Sequence, residues 1–156
     1  MTNNNIFDRL RAILNLTDAE VLECLNLTGC TLTPEAEASL DTQVQAEART
    51  PLTDALLADF LDGLIISRRG PSPSGSGGHN DVVELTNNMI LKKLRIALNL
   101  YADDMLNLFH LGGKTLNKGE LTVLFRKPTN KHYKPCGDEL LSAFLEGVNK
   151  SEEHPR

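Results

Sequence analysis

The sequence contains no tryptophan and few other aromatic residues, since two Tyr and five Phe make up 4% of its 156 residues. Leucine fills most of the apolar positions instead. Aromatic and β-branched residues favour strands, whereas leucine is a good helix former. The shortage of aromatic residues therefore argues against a β-rich fold and favours helices.

Cysteine and long apolar runs are also scarce. The three cysteines, Cys24, Cys30 and Cys136, form no CxxC pair and have no clustered histidines, so neither a disulfide framework nor a metal site is indicated. No run reaches the roughly 18 apolar residues of a membrane-spanning helix, and residues 1–5 lack the basic and apolar regions of an export signal. We therefore expect a soluble, cytoplasmic protein that has no cofactor and no membrane partner.

What the sequence does contain is an internal repeat. A shift of 84 positions aligns residues 2–65 with residues 86–149 without a gap, and 22 of the 64 aligned pairs are identical. Residues 41–50 share no identity with residues 125–134, so the two copies diverged there. Repeats of this kind indicate that one supersecondary unit has been duplicated.

The composition between the copies sets the domain boundaries. Residues 70–80 read GPSPSGSGGHN, which is typical of a flexible linker. We predict a first helical repeat over residues 1–69, a linker over 70–85, a second helical repeat over 86–149 and a polar tail over 150–156.

Local signals predict four helices in each repeat. Apolar residues recur at helical spacing, and the expected helix starts include the capping boxes that begin at Thr17 and Asn117 and the Thr33-Pro34 pair. Asn4 and Asn88 stand where N-caps of the first helices would lie. We predict an all-α fold in which two tandem homologous four-helix units pack together, joined by the Gly/Ser/Pro linker.

Two pairs of matched residues predict tertiary contacts. Arg11 and its counterpart Arg95 lie in apolar surroundings, and we expect them to pair with Asp54 and Asp138. Gly63 and Gly147 fall within apolar helical stripes, where glycine costs about 1 kcal/mol relative to alanine. Close packing of another helix against each glycine is the expected compensation.

The two repeats differ in charge. Residues 1–70 hold 5 Lys and Arg against 11 Asp and Glu, whereas residues 86–149 hold 9 against 6. One interpretation is that these charges form solvated faces, and another is that the acidic repeat complements the basic one. The alternative to both is that the basic residues of the second repeat form a ligand site. The candidate residues for such a site are Lys92, Lys93, Arg95, Arg126, Lys127, Lys131, His132, Tyr133, Lys134, Cys136 and Asp138.

Motifs for catalysis are missing, because the sequence has no phosphate-binding glycine loop, HExxH, GxSxG or paired catalytic carboxylates. Cys136 is the one nucleophile-like residue, since a helix N-terminus and nearby cations could lower its pKa and His132 is close in sequence. The alternative, which we favour, is a small structural thiol in the cap region of the last helix, where Asp138 suits the helix N-terminus. The first repeat has Leu52 at the position of Cys136, so the fold does not need the thiol.

Several runs resemble a known family. They are LKKLRIAL at 91–98, LGG at 111–113, FRKP at 125–128 and YKPCGD at 133–138, together with the RRG end of the first repeat at 68–70. The chain resembles the YehS-like bacterial proteins, a tandemly duplicated domain of unknown function, over nearly its whole length. This resemblance implies no activity, and it implies that a shared ligand site lies in the second repeat, which keeps the pattern better.

These observations lead to three hypotheses about function. The first is a non-enzymatic binding or regulatory protein that uses the basic surface of the second repeat. The second is a protein that binds RNA or DNA, although the net charge of −5 and the pI near 5.3 oppose non-specific attraction to a polyanion. The third is a thiol-dependent enzyme that uses Cys136. The partner is thus a protein or a nucleic acid, and homodimerisation stays open.

Overall fold

The computed structural model describes residues 1–45, 47–70 and 84–153, and these residues form eight α-helices and no strand. The all-α prediction is therefore confirmed for the described residues. The chain divides between Leu85 and Thr86 into two compact units. Unit 1 contains α1 (Asn3–Ile13), α2 (Asp18–Leu27), α3 (Pro34–Leu40) and α4 (Asp54–Arg69), and unit 2 contains α5 (Asn87–Ala97), α6 (Ala102–Leu111), α7 (Lys118–Leu124) and α8 (Asp138–Glu153).

The backbones of the two units repeat with the same period as the sequence. Each helix of unit 2 begins and ends 84 residues after its counterpart in unit 1. Irregular backbone repeats as well, because Asn15 and Asn99 have φ of 53° and 55°, and Gly29 and Gly113 have φ of 73° and 94°. Asparagine and glycine tolerate this left-handed region better than other residues. The duplication is therefore structural as well as sequential.

Side-chain caps start most of the helices, as the sequence predicted. In unit 1 the Thr17 hydroxyl accepts from the Glu20 N–H at 3.2 Å, and the Glu20 carboxylate accepts from the Thr17 N–H at 3.1 Å. Asn117 and Glu120 form the same reciprocal box in unit 2. The Thr33 hydroxyl caps α3 in front of its proline. These capping predictions are confirmed.

The predicted N-caps Asn4 and Asn88 are wrong. The caps are Thr2 and Thr86, whose hydroxyls accept from the N–H of Asn5 at 3.1 Å and of Met89 at 3.2 Å. The threonine lies two positions before the asparagine, and its hydroxyl accepts from an N–H group of the first helical turn that has no partner within the helix. The helix has therefore already begun at the asparagine. The asparagine side chains are therefore available for other contacts.

The core of each unit is built around one phenylalanine of its last helix. Phe60 contacts Phe7 with ring centroids 5.1 Å apart, and Phe144 contacts Phe109 at 5.5 Å. The partner ring comes from α1 in unit 1 and from α6 in unit 2, and leucine occupies the other position in each unit: Leu25 in unit 1 and Leu91 in unit 2. Because one phenylalanine and one leucine are exchanged, the two cores keep similar volume.

Glycine allows the second and fourth helices of each unit to touch backbone to backbone. A Cβ atom added at Gly63 would lie 1.9 Å from the Cys24 carbonyl oxygen, and one added at Gly147 would lie 1.8 Å from that of Leu108. No side chain fits such a gap. The prediction that another helix packs closely against these glycines is confirmed.

The last helices of the two units end at equivalent positions, but they agree differently with the predicted repeat boundaries at 69 and 149. In unit 1, α4 ends at Arg69, and Gly70 follows with φ of 83°. In unit 2, α8 runs to Glu153, four residues past the predicted end of the repeat, and the Lys150 ammonium group donates to the Leu111 carbonyl at 3.2 Å. Most of the predicted linker, residues 71–83, and the end of the predicted tail, residues 154–156, lie outside the described residues.

None of the helices in the described ranges combines the length and the apolar character needed to cross a bilayer.

Candidate functional site

Asn88 holds both ends of the loop that joins α7 to α8, residues 125–137. Its amide group donates to the carbonyls of Leu124 and Lys134, each at 2.9 Å. Its carbonyl oxygen accepts from the Cys136 N–H at 2.8 Å. Asn88 is only 8% exposed, so these three hydrogen bonds replace contacts with water that burial removes. The loop is therefore fixed to α5 at its start and at its end.

Asn87 adds a second attachment at the end of the loop. Its amide donates to the Cys136 carbonyl at 3.0 Å and to the Asp138 carboxylate at 2.8 Å. This donated hydrogen bond helps to hold the pKa of Asp138 below its ordinary value, because it favours the charged carboxylate. The first residue of α8 is thereby tied to the first residue of α5.

Unit 1 has the same pair of asparagines with the same task. Asn4 donates to the carbonyls of Ser39 and Thr50 and accepts from the Leu52 N–H at 2.9 Å, while Asn3 donates to Asp54 at 2.6 Å. The Thr-Asn-Asn triplet is identical at residues 2–4 and 86–88. The identical triplet is the signal in the sequence for a shared role of these asparagines. The prediction of Asn4 and Asn88 as helix caps did not include that role.

Most of the predicted basic residues lie together on this loop. A turn is formed by the Asn130 N–H, which donates to the Lys127 carbonyl at 2.9 Å, and by the His132 N–H, which donates to the Asn130 side-chain oxygen at 2.8 Å. These two N–H groups therefore have their partners inside the loop. The exposed basic side chains of the loop are Arg126, Lys127, Lys131, His132 and Lys134.

Lys92 extends this group onto α5. It is exposed and lies one helical turn after Asn88, hence on the helix face that meets the loop. In unit 1 Asp8 occupies the position of Lys92, and Arg49 occupies the position of Tyr133. Asp8 and Arg49 form an ion pair at 2.6 Å. We call the six exposed residues the basic surface: Lys92, Arg126, Lys127, Lys131, His132 and Lys134.

The remaining predicted site residues differ from these in exposure or charge. Lys93, Arg95 and Tyr133 are half-buried, Cys136 is buried at 6% exposure, and Asp138 is an exposed acid. The Arg95 guanidinium donates to the Leu100 carbonyl at 3.2 Å and lies over the Phe125 ring, 4.8 Å from its centroid. Arg95 is therefore engaged inside unit 2.

The predicted pairing of Arg11 with Asp54, and of Arg95 with Asp138, is wrong. The Arg11 guanidinium instead donates to the Leu16 carbonyl at 3.1 Å and pairs with Asp18. Asp54 is bound by Asn3 at the start of α1, whereas Arg11 lies eight residues further along, about 12 Å at 1.5 Å per residue. The arginines close the turn between the first and second helices of each unit.

Burial is the main influence on the thiol of Cys136. It raises the pKa of Cys136 to about 11, with a further contribution from the negative charge of Asp138. The thiol also contacts the Gly137 carbonyl, with Sγ 3.6 Å from the oxygen. Burial therefore opposes the lowering of the Cys136 pKa that a helix N-terminus and nearby lysines could cause, and it favours the interpretation of Cys136 as a structural thiol.

We expect Cys136 to react slowly with a thiol reagent at neutral pH. With a pKa of about 11, the reactive thiolate is a minor species at pH 7.5, and the rate should rise roughly tenfold for each pH unit up to that value. The rate of modification by a disulfide reagent, followed in a variant with Cys24→Ala and Cys30→Ala, measures this. A fast reaction near pH 7 that levels off there would contradict the prediction and favour a thiol-dependent enzyme.

Across residues 1–45, 47–70 and 84–153, no three His, Cys, Asp or Glu side chains gather as metal ligands would.

Comparison with known proteins places both units in one family. The chain is 32% identical over 148 residues to the uncharacterized protein YehS of Escherichia coli (strain K12), and the alignment covers 95% of this chain and 94% of YehS. No solved structure matches the chain. The family described as "Protein of unknown function (DUF1456)" matches residues 3–70 and again residues 87–152. The chain therefore belongs to the DUF1456 family, as a YehS-like protein in which the domain occurs twice.

Proposed function

We propose that this protein is a non-enzymatic binding protein that recognises an acidic surface of a partner protein through the basic surface of unit 2. The observation that carries the proposal is that none of its six residues takes part in an ion pair within the described part of the chain. Other exposed lysines of unit 2 do lie near acids, since Lys114 is 3.8 Å from Glu139 and Lys118 is 3.8 Å from Asp103. The basic surface therefore offers a cluster of positive charge that no acid of the described residues neutralises.

The attachment of the loop supports this proposal. Asn88 and Asn87 hold the loop at Leu124, Lys134 and Cys136, so its cations stand in a defined arrangement before any partner binds. Less conformational freedom is then lost on association, which raises the affinity for a given set of contacts. Charges arranged in this way mainly give specificity and a faster association rate.

A protein partner is favoured over a nucleic acid by charge and by the aromatic residue. The chain carries a net charge of −5, which opposes attraction to a long polyanion. Tyr133 is half-buried, so its ring offers little of the open face on which bases stack. Nucleic-acid binding nevertheless makes a distinct prediction and is one outcome of the experiment below.

The proposal includes a cytoplasmic location and the absence of catalysis. The three cysteines are unpaired thiols, which suits a reducing compartment. Cys136, the nucleophile that the sequence offered, is buried and has a raised pKa. The first observation supports the cytoplasmic location, and the second supports a role without thiol catalysis.

The test removes three cations from the basic surface. In a variant with Arg126→Ala, Lys127→Ala and Lys131→Ala, we expect capture of the partner from a cytosolic extract to fall about tenfold or more, because several rim charges act together. Protein and nucleic acid are quantified separately in the captured material. The matched control, Lys114→Ala with Lys118→Ala and Lys150→Ala, removes the same charge from elsewhere on unit 2 and should leave capture unchanged.

The two sets of variants separate the alternatives. A protein that is lost with the first variant and kept by the control supports the proposal. If nucleic acid is captured by the wild type and the control but not by the first variant, and its capture falls steeply as salt rises, the nucleic-acid alternative is identified instead. Equal capture by both variants and the wild type contradicts a binding role for this surface.

A further inference from the structure

Unit 1 has an open cleft between α2, α3 and the chain that follows α3. Its volume is about 780 Å³. Apolar side chains of Val21, Leu22, Ala38 and Leu40 line it, and Leu22 is 44% exposed. The Arg11 guanidinium forms part of the wall.

Unit 2 fills part of the corresponding space with its own side chain. Arg95 is the counterpart of Arg11, and both donate through Nε to the carbonyl five residues later. The ring of Phe125 lies under the Arg95 guanidinium at 4.8 Å. The counterpart of Phe125 is Asp41, so the arginine of unit 1 has no aromatic ring supplied from this position.

The backbone also diverges at this point. Both residues are C-caps, but Phe125 keeps a nearly helical conformation with ψ of 5°, whereas Asp41 is extended with ψ of 104°. The Asp41 carboxylate accepts from the Gln43 N–H at 2.9 Å, so the side chain stays with its own loop. The cleft of unit 1 therefore results from a changed residue and a changed chain direction.

We propose that the cleft of unit 1 binds a segment of a partner protein that carries an aromatic residue followed by basic residues. The aromatic ring would take the place under Arg11 that Phe125 takes under Arg95, where a cation over a ring face is favourable. The cleft is a second binding surface, which does not depend on the basic surface of unit 2.

The charge of the cleft specifies the residues next to the ring. Asp18, Glu37 and Asp41 line it and are exposed. Asp18 pairs with Arg11, the lining cation, so Glu37 and Asp41 supply the remaining negative charge. In unit 2, Phe125 is followed by Arg126 and Lys127. A segment with the same order would place its cations near the acids of the cleft, which favours binding and selects against acidic segments.

A labelled peptide with the sequence of residues 123–129, VLFRKPT, serves as the probe, and its fluorescence anisotropy is measured with the full chain. We expect saturable binding with a Kd of about 100 µM, and at least about tenfold weaker binding when alanine replaces the phenylalanine of the peptide. Saturable binding that is unaffected by the loss of that ring overturns the proposal. So does the absence of binding at about 1 mM chain.

Variants of the chain locate the peptide. Ala38 is exposed and lines the cleft, so Ala38→Trp should fill it and weaken binding at least about tenfold. The matched control is Thr122→Trp at the equivalent exposed position of unit 2, which should leave the Kd within about twofold. Asp41→Phe, which supplies the missing ring from the chain itself, should also block the peptide. Equal weakening by Ala38→Trp and Thr122→Trp, or none by either cleft variant, overturns the proposal.

Charge provides an independent check. Glu37→Lys should weaken binding about threefold or more, whereas Glu23→Lys, an exposed change outside the cleft, should have little effect. Circular dichroism of each variant establishes that it is folded. An unchanged Kd for Glu37→Lys contradicts the assignment of basic residues beside the ring.

Discussion

Replacing Gly147 by alanine is expected to destabilise unit 2 by about 3 kcal/mol, at the upper end of what an overpacked site costs. The new Cβ would lie 1.8 Å from the Leu108 carbonyl oxygen and 2.7 Å from its carbonyl carbon. These are backbone atoms, so no side-chain rotation relieves the clash. The helices must separate, and the gain in helix propensity of about 1 kcal/mol offsets only part of the cost.

Separation of α6 from α8 would spread beyond the glycine. The two helices contribute Phe109 and Phe144, whose rings are both fully buried and 5.5 Å apart. At the other end of the contact, a Cβ on Gly112 would lie 1.8 Å from the Ala143 carbonyl oxygen. A shift at Gly147 therefore loosens this core, and protein interiors are packed closely enough to be sensitive to such a change.

Urea denaturation measures the effect, and the midpoint should fall by roughly 1 to 2 M for a slope of about 1.5 to 3 kcal/mol per molar. Gly119→Ala is the control within the same unit, because its new Cβ would meet only the side-chain oxygen of Asn117, at 3.3 Å. That variant should be as stable as the wild type or slightly more stable, by up to about 1 kcal/mol. If Gly147→Ala matched Gly119→Ala in stability, the described packing of α6 on α8 would be wrong.

Features encoded by neighbouring residues were predictable from the sequence. The helical repeats and the capping boxes at Thr17 and Asn117 depend on residues within four positions of each other. The duplication was also visible, because it is a direct comparison of the chain with itself. The glycines of α4 and α8 were predictable too, because glycine in an apolar helical stripe calls for a close neighbour. The matching of both units to one family agrees with this result.

Features that depend on distant residues were not predictable in the same way. Asn88 was taken for a cap because its residue type suits one, yet its partners lie 36 to 48 residues away. Arg11 pairs with Asp18 because the chain turns back after α1, which residue spacing does not reveal. The cleft of unit 1 likewise follows from a change in backbone direction at Asp41.

The candidate site was predictable in composition and not in exposure. The sequence placed a cluster of cations in the second repeat, and the structure shows that Arg126 and Lys127 are exposed whereas Arg95 is half-buried. Cys136 illustrates the same limit. Its neighbours in sequence suggested a lowered pKa, but the effect of burial is larger and has the opposite sign.

Asn88→Ala is the second change with a large expected effect, a loss of about 3 kcal/mol in the stability of unit 2. The substitution leaves the Leu124 and Lys134 carbonyls and the Cys136 N–H without their partner, and each unsatisfied buried group costs about 1 to 3 kcal/mol unless water replaces the bond. Asn4→Ala should have a similar effect in unit 1. Asn5→Ala, one position along on the exposed side of α1, should change stability by less than about 0.5 kcal/mol.

The same change should also weaken binding at the basic surface, because Asn88 positions the loop without contributing charge. Amide hydrogen exchange across residues 125–137 should therefore accelerate in Asn88→Ala, while the variant with Arg126→Ala, Lys127→Ala and Lys131→Ala keeps the slow exchange of the wild type. We therefore expect the variant without the three cations to capture less partner at unchanged stability, and we expect Asn88→Ala to lower both partner capture and stability. Unchanged exchange and unchanged stability in Asn88→Ala would show that other contacts hold the loop. Asn88 would then not be the residue that fixes the cations of the basic surface before a partner binds.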